Sequence, residues 1–286
     1  MTPRTIITYL ADWNPAWIKT VEFSNRLIKW LSIPRKDFKE SLNRDELKYS
    51  WIYMLLWTDE NNNDIAYIWQ ATILWKRLND HYKDTSKDFW INAVCFTYKD
   101  WSLTESDINF LEKELIWEAK NIWRYNIINW NWWNNWLIQE HRIPDMNEFI
   151  EDLKILILNL WYPILKEIIS QKELENEENI YYLTARWSKA KWLYTEEGFL
   201  VLKWSTWPNT YTQSEESNKW FAFRNRPLLK EKWILDISWN EIILLKDHLF
   251  NSPSSAWTFI SWRSVNWWTI WKDKAWNTLD ENIRKS

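Results

Sequence analysis

A single glycine in 286 residues constrains this chain more than any other feature. Glycine enters the left-handed backbone region without steric cost and lets backbones and ligands approach closely. Average usage of about 7% would place roughly twenty glycines in a chain this long. Here there is one, against 29 Trp. The tryptophans stand where glycine is expected. DWNP (12–15), KDWS (99–102) and NWNWWNNW (129–136) set Trp beside Asp, Asn, Ser and Pro, the usual company of glycine in turns. Trp51, Trp57 and Trp69 fall where a strand starts, where one ends and where a strand hands over to a helix. Most of these letters are therefore read as glycine, encoded by a UGA codon that the source decodes as glycine and the standard table renders as tryptophan. The opposing reading is a real Trp-rich surface for sugar or lipid.

The rest of the composition is ordinary. Charged residues make up 26%, and a net charge of −3 gives no global basic footprint for nucleic acid, which leaves room for a locally positive cleft. Cys95, within INAVCF, reads as a small buried hydrophobe, and one cysteine forms no disulfide framework. His81, His141 and His248 lie far apart without ligand-type spacing, so no His-based metal site is expected. The chain opens on no charged-then-apolar leader and contains no apolar run of membrane-spanning length, and the expectation is a cytoplasmic protein without membrane contact or an obligate protein partner.

The pattern predicts an α+β fold: a small mixed sheet flanked by helices, then a small C-terminal α+β domain. Residues 5–10 and 17–23 read as a hairpin around DWNP, and 25–35 as a strand ended by Pro34. WIYMLL and IAYIW pair across TDENNND, ATILWKRLNDHY has helical spacing, and INAVCFTY is a buried strand. TESDINFLEKELIWEAKNI (104–122) is a helix opened by a Thr104–Asp107 capping box, with Ile108, Leu111, Leu115, Ala119 and Ile122 as its apolar stripe. A further helix is predicted from Met146 to Leu160, closed by WYP, and another over 251–262 with Ser252 as cap and Pro253 at its first position. The domains expected are an N-terminal strand segment (1–45), a central domain (46–170), a charged linker (171–179) and a C-terminal domain (180–286).

Glu112 is out of place. It lies four residues after Ile108 and four before Ile116, so helical geometry sets it on the apolar stripe. A buried carboxylate must be paired, neutralised or bound to a cation. A structural bridge to Arg77 is one solution and a metal ion another. Arg77 and His81 are four apart on one helix face, and Tyr53 and Tyr67 lie on two adjacent strands.

With glycine read at Trp51 and Trp69, residues 51–53 become Gly-Ile-Tyr and 67–69 Tyr-Ile-Gly. That pair, followed by Arg77 and by Glu112 in ExxLI (112–116), resembles the GIY-YIG nuclease family. DWNPAWIKTVEFSN (12–25), IPR (33–35), DFW (88–90), SLT (102–104) and NWN (129–131) resemble family members that carry a C-terminal domain of unknown function, as do TEEGFLVLKWS (195–205) and SPSSA…SWRSVNWWTIWKD (252–273). The resemblance marks Trp90, Trp268 and Trp271 as genuine tryptophans. It implies a metal-dependent endonuclease acting on nucleic acid, with DNA as the expected partner. It implies Glu112 as the ligand of a single Mg2+ (or Mn2+), Arg77 as the neutraliser of phosphate charge, Tyr53 as the water activator, its pKa depressed by the metal and Arg77 or else its role limited to orienting the water, and Tyr67 and His81 as positioning groups. The bare backbone at residue 69 is to receive the strand, Asn129 is to hold the loop after the helix, and Arg263, Trp268, Trp271 and Lys272 are to stack on bases and contact phosphate. The alternative is a non-catalytic nucleic-acid-binding protein on the same scaffold.

Overall fold

The computed structural model describes residues 3–60, 63–84, 89–122, 124–129, 138–167, 180–185, 188–195, 197–209, 226–227, 229–230, 234–250, 252–261 and 269–284. The fold is α+β and divides into two compact units, Met1–Lys166 and Glu167–Ser286.

In the first unit β1 (Ile6–Leu10), β2 (Lys19–Phe23), β3 (Ile28–Pro34), β4 (Trp51–Thr58), β5 (Asp64–Ala71), β6 (Asn92–Tyr98) and β7 (Asn126–Ile127) form one sheet in the order β1-β2-β3-β6-β4-β5-β7. Residues 1–45, expected as a separate segment, thus supply three strands to the same sheet as β4 and β5. The pairing is antiparallel except between β5 and the short edge strand β7. Strand alternation sends Ile52, Met54, Leu56, Ala66 and Ile68 to one face, where they pack with Leu111, Leu115 and Phe149. Trp51, Tyr53, Leu55, Tyr67 and Trp69 go to the other, with Leu74 and Leu78.

Those partners come from α2 (Leu74–Lys83), α3 (Glu105–Ile122) and α4 (Ile143–Asn159); a single turn, α1 (Phe38–Ser41), precedes β4. The Thr104–Asp107 capping box forms reciprocally: the Thr104 N–H donates to Asp107 Oδ2 at 2.9 Å and the Asp107 N–H to Thr104 Oγ1 at 3.2 Å. Asp107 is 1% exposed and also receives the Arg142 fork, Nη2 to Oδ2 at 2.8 Å and Nε to Oδ1 at 3.2 Å. Burial alone would raise the Asp107 pKa, but the Arg142 hydrogen bond and the Thr104 donors outweigh it and hold the carboxyl below its ordinary value. Its stabilisation is therefore present above the unfolded value and lost as pH falls through the folded one. Asp107→Ala should lower unfolding free energy by about 1–3 kcal/mol at neutral pH, measured by urea denaturation, because it removes a cap and the buried partner of Arg142, which keeps its ion pair with Asp145.

Helix α4 starts three residues before the predicted Met146, with Pro144 in its first turn. It ends as a Schellman turn: the Trp161 N–H donates to Leu158 O at 2.9 Å and the Tyr162 N–H to Ile157 O at 3.2 Å, with Trp161 at φ 65°. That position belongs to glycine. Every described non-glycine residue with positive φ is a tryptophan: Trp13 (51°), Trp101 (60°), Trp161 (65°), Trp204 (67°) and Trp276 (68°). Two of them stand in the DWNP and KDWS turns. Asn, Asp and His are the residues ordinarily enriched there, and a bulky side chain is an outlier. Trp51, Trp57 and Trp69 do not share this conformation; they sit in extended strands. Gly198, the one encoded glycine, has φ 139°, and a Cβ on it would stand 2.7 Å from Phe250 O.

The second unit is built on β8 (Ile180–Ala185), β9 (Ser188–Thr195), β10 (Gly198–Val201), β11 (Thr206–Pro208), β12 (Leu235–Ile237), β13 (Glu241–Leu244) and β14 (His248–Phe250), in the order β12-β13-β11-β9-β10-β14 with β8 on β9. Helices α5 (Pro253–Ser261) and α6 (Leu279–Arg284) follow. Ser252 caps α5 as predicted, its Oγ accepting the Ser255 N–H at 3.1 Å. Strands β11 to β14 are each only three or four residues long, too short to show a clear period of two in the sequence. The expected linker, 171–179, lies outside the described residues.

Candidate active site

Alternation along β4 and β5 brings Tyr53, Tyr67 and Trp69 to one face, and α2 lays Arg77 and His81 against them. The Tyr53 hydroxyl and His81 Nε2 are 2.8 Å apart, and the Tyr67 ring meets the His81 ring edge-on at 5.3 Å. The Arg77 guanidinium lies close enough to both tyrosine hydroxyls to act on them as a neighbouring positive charge. Which of the two donates in the Tyr53–His81 hydrogen bond is set by the imidazole tautomer, and the phenol is the donor when Nε2 carries no proton. Tyr53 is 0% exposed and His81 2%.

Burial fixes the charge state of this cluster. It pushes the Tyr53 phenol well above its ordinary value, Tyr67 adds to that, and the opposing pull of Arg77 is too weak to compensate. Arg77 by itself therefore does not depress the Tyr53 value, and without a metal ion the group is a neutral phenol, because a phenolate loses more by leaving water than it gains from one guanidinium. The Tyr67 pKa is also raised by burial against the pull of Arg77.

Glu112 lies on α3 within electrostatic reach of Arg77 and Tyr67. No hydrogen bond or ion pair joins it to Arg77 or to another described residue, so the structural bridge is not formed. Burial pushes its carboxyl up to about 7, with Arg77 pulling the other way. Such a carboxylate suits a cation. No group of three His, Cys, Asp or Glu stands together among the described residues.

This shift carries a stability signature. A carboxyl raised above its unfolded value binds a proton more tightly when folded, so its destabilisation is absent below about pH 4.5 and grows until about pH 7. In metal-free thermal or urea unfolding, Glu112→Gln should stabilise the protein by on the order of 2 kcal/mol at pH 8 and leave it unchanged at acidic pH. Mg2+ should raise the parent's melting temperature at pH 8 and not the variant's.

The other expected residues divide. Asn129 is 5% exposed and clamps the edge of β5: its Oδ1 accepts the Ile68 N–H at 2.8 Å and its Nδ2 donates to Ile68 O at 2.5 Å. It continues the ladder where β7 stops, after partners Ile65 and Ala66, and so fixes the strand between Tyr67 and Trp69. Trp69 stacks on Tyr67 with centroids 5.6 Å apart, and the Arg77 guanidinium carbon lies 5.6 Å from its ring centre. In the chain as written, the indole covers the face of the arginine. Trp271 is 0% exposed, enclosed with Trp192 and Phe199 in the core of the second unit. Its expected role in base stacking is corrected, since no base reaches a ring without exposed surface. Lys272 lies over the Trp276 ring at 4.8 Å. Arg263 and Trp268 lie outside the described residues.

One positioning pair was not anticipated. Asn109, one turn before Glu112 on α3, accepts from Gln70 Nε2 at 3.2 Å and donates to Glu105 O at 2.8 Å, tethering the helix to β5 beside residue 69. A polar residue next to the apolar stripe was the available signal.

Residues 163–283 match a family model described as a domain of unknown function, DUF4357, so the chain carries that domain at its C-terminal end. No curated protein and no solved structure matches the chain. No helix among the described residues is long and apolar enough to cross a membrane.

Proposed function

We propose that this protein is a Mg2+-dependent endonuclease of the GIY-YIG type, cleaving DNA, and that most of its Trp letters stand for glycine. The observation that carries the nuclease reading is the convergence of Tyr53, Tyr67, Arg77 and His81 with an unpaired, half-buried Glu112 at their margin. Convergence of this kind is what separates a site from ordinary sheet packing. The recoding reading is supported by the left-handed tryptophans. About one residue in ten is Trp, yet all five described positive-φ residues other than Gly198 are. Four of them, Trp13, Trp161, Trp204 and Trp276, are also among the most exposed tryptophans, at 95%, 90%, 68% and 74%. A surface selected for sugar or lipid binding has no reason to set its rings where the backbone penalises any side chain.

Glu112 would hold the ion, which when bound supplies positive charge near the departing oxygen and polarises the phosphate. Arg77 neutralises charge developing on the phosphate oxygens through its planar fork. Activation of water requires no phenolate. With glycine at residues 51 and 69 opening a path to the otherwise enclosed Tyr53, water would give a proton to the Tyr53 oxygen as Tyr53 passes its own to His81 Nε2, so the neutral phenol would act as a relay and His81 would end as the protonated base. Tyr67 holds Arg77 in place.

Plasmid nicking tests this reading. The chain with glycine at residues 51 and 69 should nick DNA in Mg2+, and Glu112→Ala should abolish it. Cleavage that survives Glu112→Ala refutes the site, and DNA binding without cleavage by the parent leaves the non-catalytic module.

A further inference from the structure

A second feature of the first unit lies outside the tyrosine–arginine cluster. A groove of about 610 Å³ opens at the end of β3 and β6, lined among others by Arg35, Lys36, Tyr82, Asn92 and Tyr162 over a floor that includes Trp90. The Arg35 guanidinium carbon stands 5.3 Å from the Tyr82 ring centre and 4.9 Å from that of Trp90, so two aromatic faces hold the cation in place. Lys36 keeps its side chain 67% exposed, with Asp37 no nearer than 4.0 Å. Across the groove, Asn92 Nδ2 donates to the Tyr162 hydroxyl at 2.9 Å, and Asn92 Oδ1 accepts from Ser32 Oγ at 3.1 Å.

We infer that this groove holds one nucleotide of a single-stranded nucleic-acid segment, its base on the Arg35–Tyr82 platform and its phosphate against Lys36. The inference rests on the proposed nucleic-acid partner and adds a site to it. Aromatic faces and guanidinium planes together form the surface on which unpaired bases stack, and the adjacent ammonium meets the backbone. Charge and shape agree: two cations and three aromatic rings line a concave surface in a chain with a net charge of −3. Tyr82 of the groove directly follows His81 of the tyrosine–arginine cluster on α2, so one helix serves both sites.

The test is fluorescence anisotropy of the full chain with a labelled oligothymidylate in EDTA, where cleavage is silent. The chain as written and the glycine-bearing chain share every groove residue, so either serves. Arg35→Ala should weaken binding about tenfold, the loss of one stacking platform. Lys36→Glu, at an exposed position that leaves folding intact, should weaken it as well and lower the salt slope by about one. Unchanged affinity in Lys36→Glu, or in an Arg35→Ala variant with a parental melting curve, overturns the inference. Nicking is read separately: weakened binding in both variants of a parent that never nicks supports the groove and removes the nuclease, whereas nicking with unchanged oligonucleotide affinity keeps the nuclease and removes the groove.

Discussion

Glycine at residues 13, 101, 161, 204 and 276 should raise the unfolding free energy by about 3–5 kcal/mol in total, read by urea denaturation of the five-fold variant. Each L-residue in the left-handed region costs roughly 1–2 kcal/mol, partly offset by the greater unfolded-state freedom of glycine, about 0.5–1 kcal/mol. The five positions are separate turns with no shared partner, so their effects should add. The same substitution at Trp90 or Trp271, both at most 1% exposed, should instead destabilise by more than about 3 kcal/mol each through lost burial and the cavity left behind. Opposite signs for one chemical change separate misread glycines from real tryptophans, and no general effect of tryptophan produces that pattern. A uniform loss of stability at all seven positions would mean that the turns were selected with the indole in place.

In a chain with glycine at residues 51 and 69, Arg77→Ala should reduce nicking about 10²–10³-fold while leaving DNA binding largely intact. Arg77→Lys should recover little, because a point charge does not reproduce a fork aimed at two oxygens. The reason lies in the proposed site: Arg77 is the positive charge that acts on both tyrosines and on Glu112, and its fork would meet the phosphate there. With an indole at residue 69 the ring lies over that guanidinium, and the chain as written should show no nicking for Arg77 to support. Nicking by the Arg77→Ala protein at the parental rate would remove the arginine from the mechanism.

Much of the first unit was legible in the sequence. The hairpins, α2 and the capping box of α3 follow from periods of two and 3.6 read against turn residues, whereas the convergence of Tyr53, Tyr67 and Arg77 was implied by the resemblance. The charge state of Tyr53 was not legible, because it depends on enclosure by α2 and the sheet, which no local pattern reports. The second unit was harder to read. Its strands β12 to β14 are three or four residues long, and Trp271 reads identically as a stacking ring or as core until its exposure is known. Arg35 between Tyr82 and Trp90 joins residues some fifty positions apart and gives no local signal at all.

The most direct measurement is tandem mass spectrometry of the protein isolated from its natural source, read across the peptides that cover residues 51 to 77 and 90 to 101. The account predicts glycine at 51, 57, 69 and 101 and tryptophan at 90. Tryptophan at 51 and 69 would contradict it, because the indole at 69 lies over the Arg77 guanidinium that the phosphodiester is to meet.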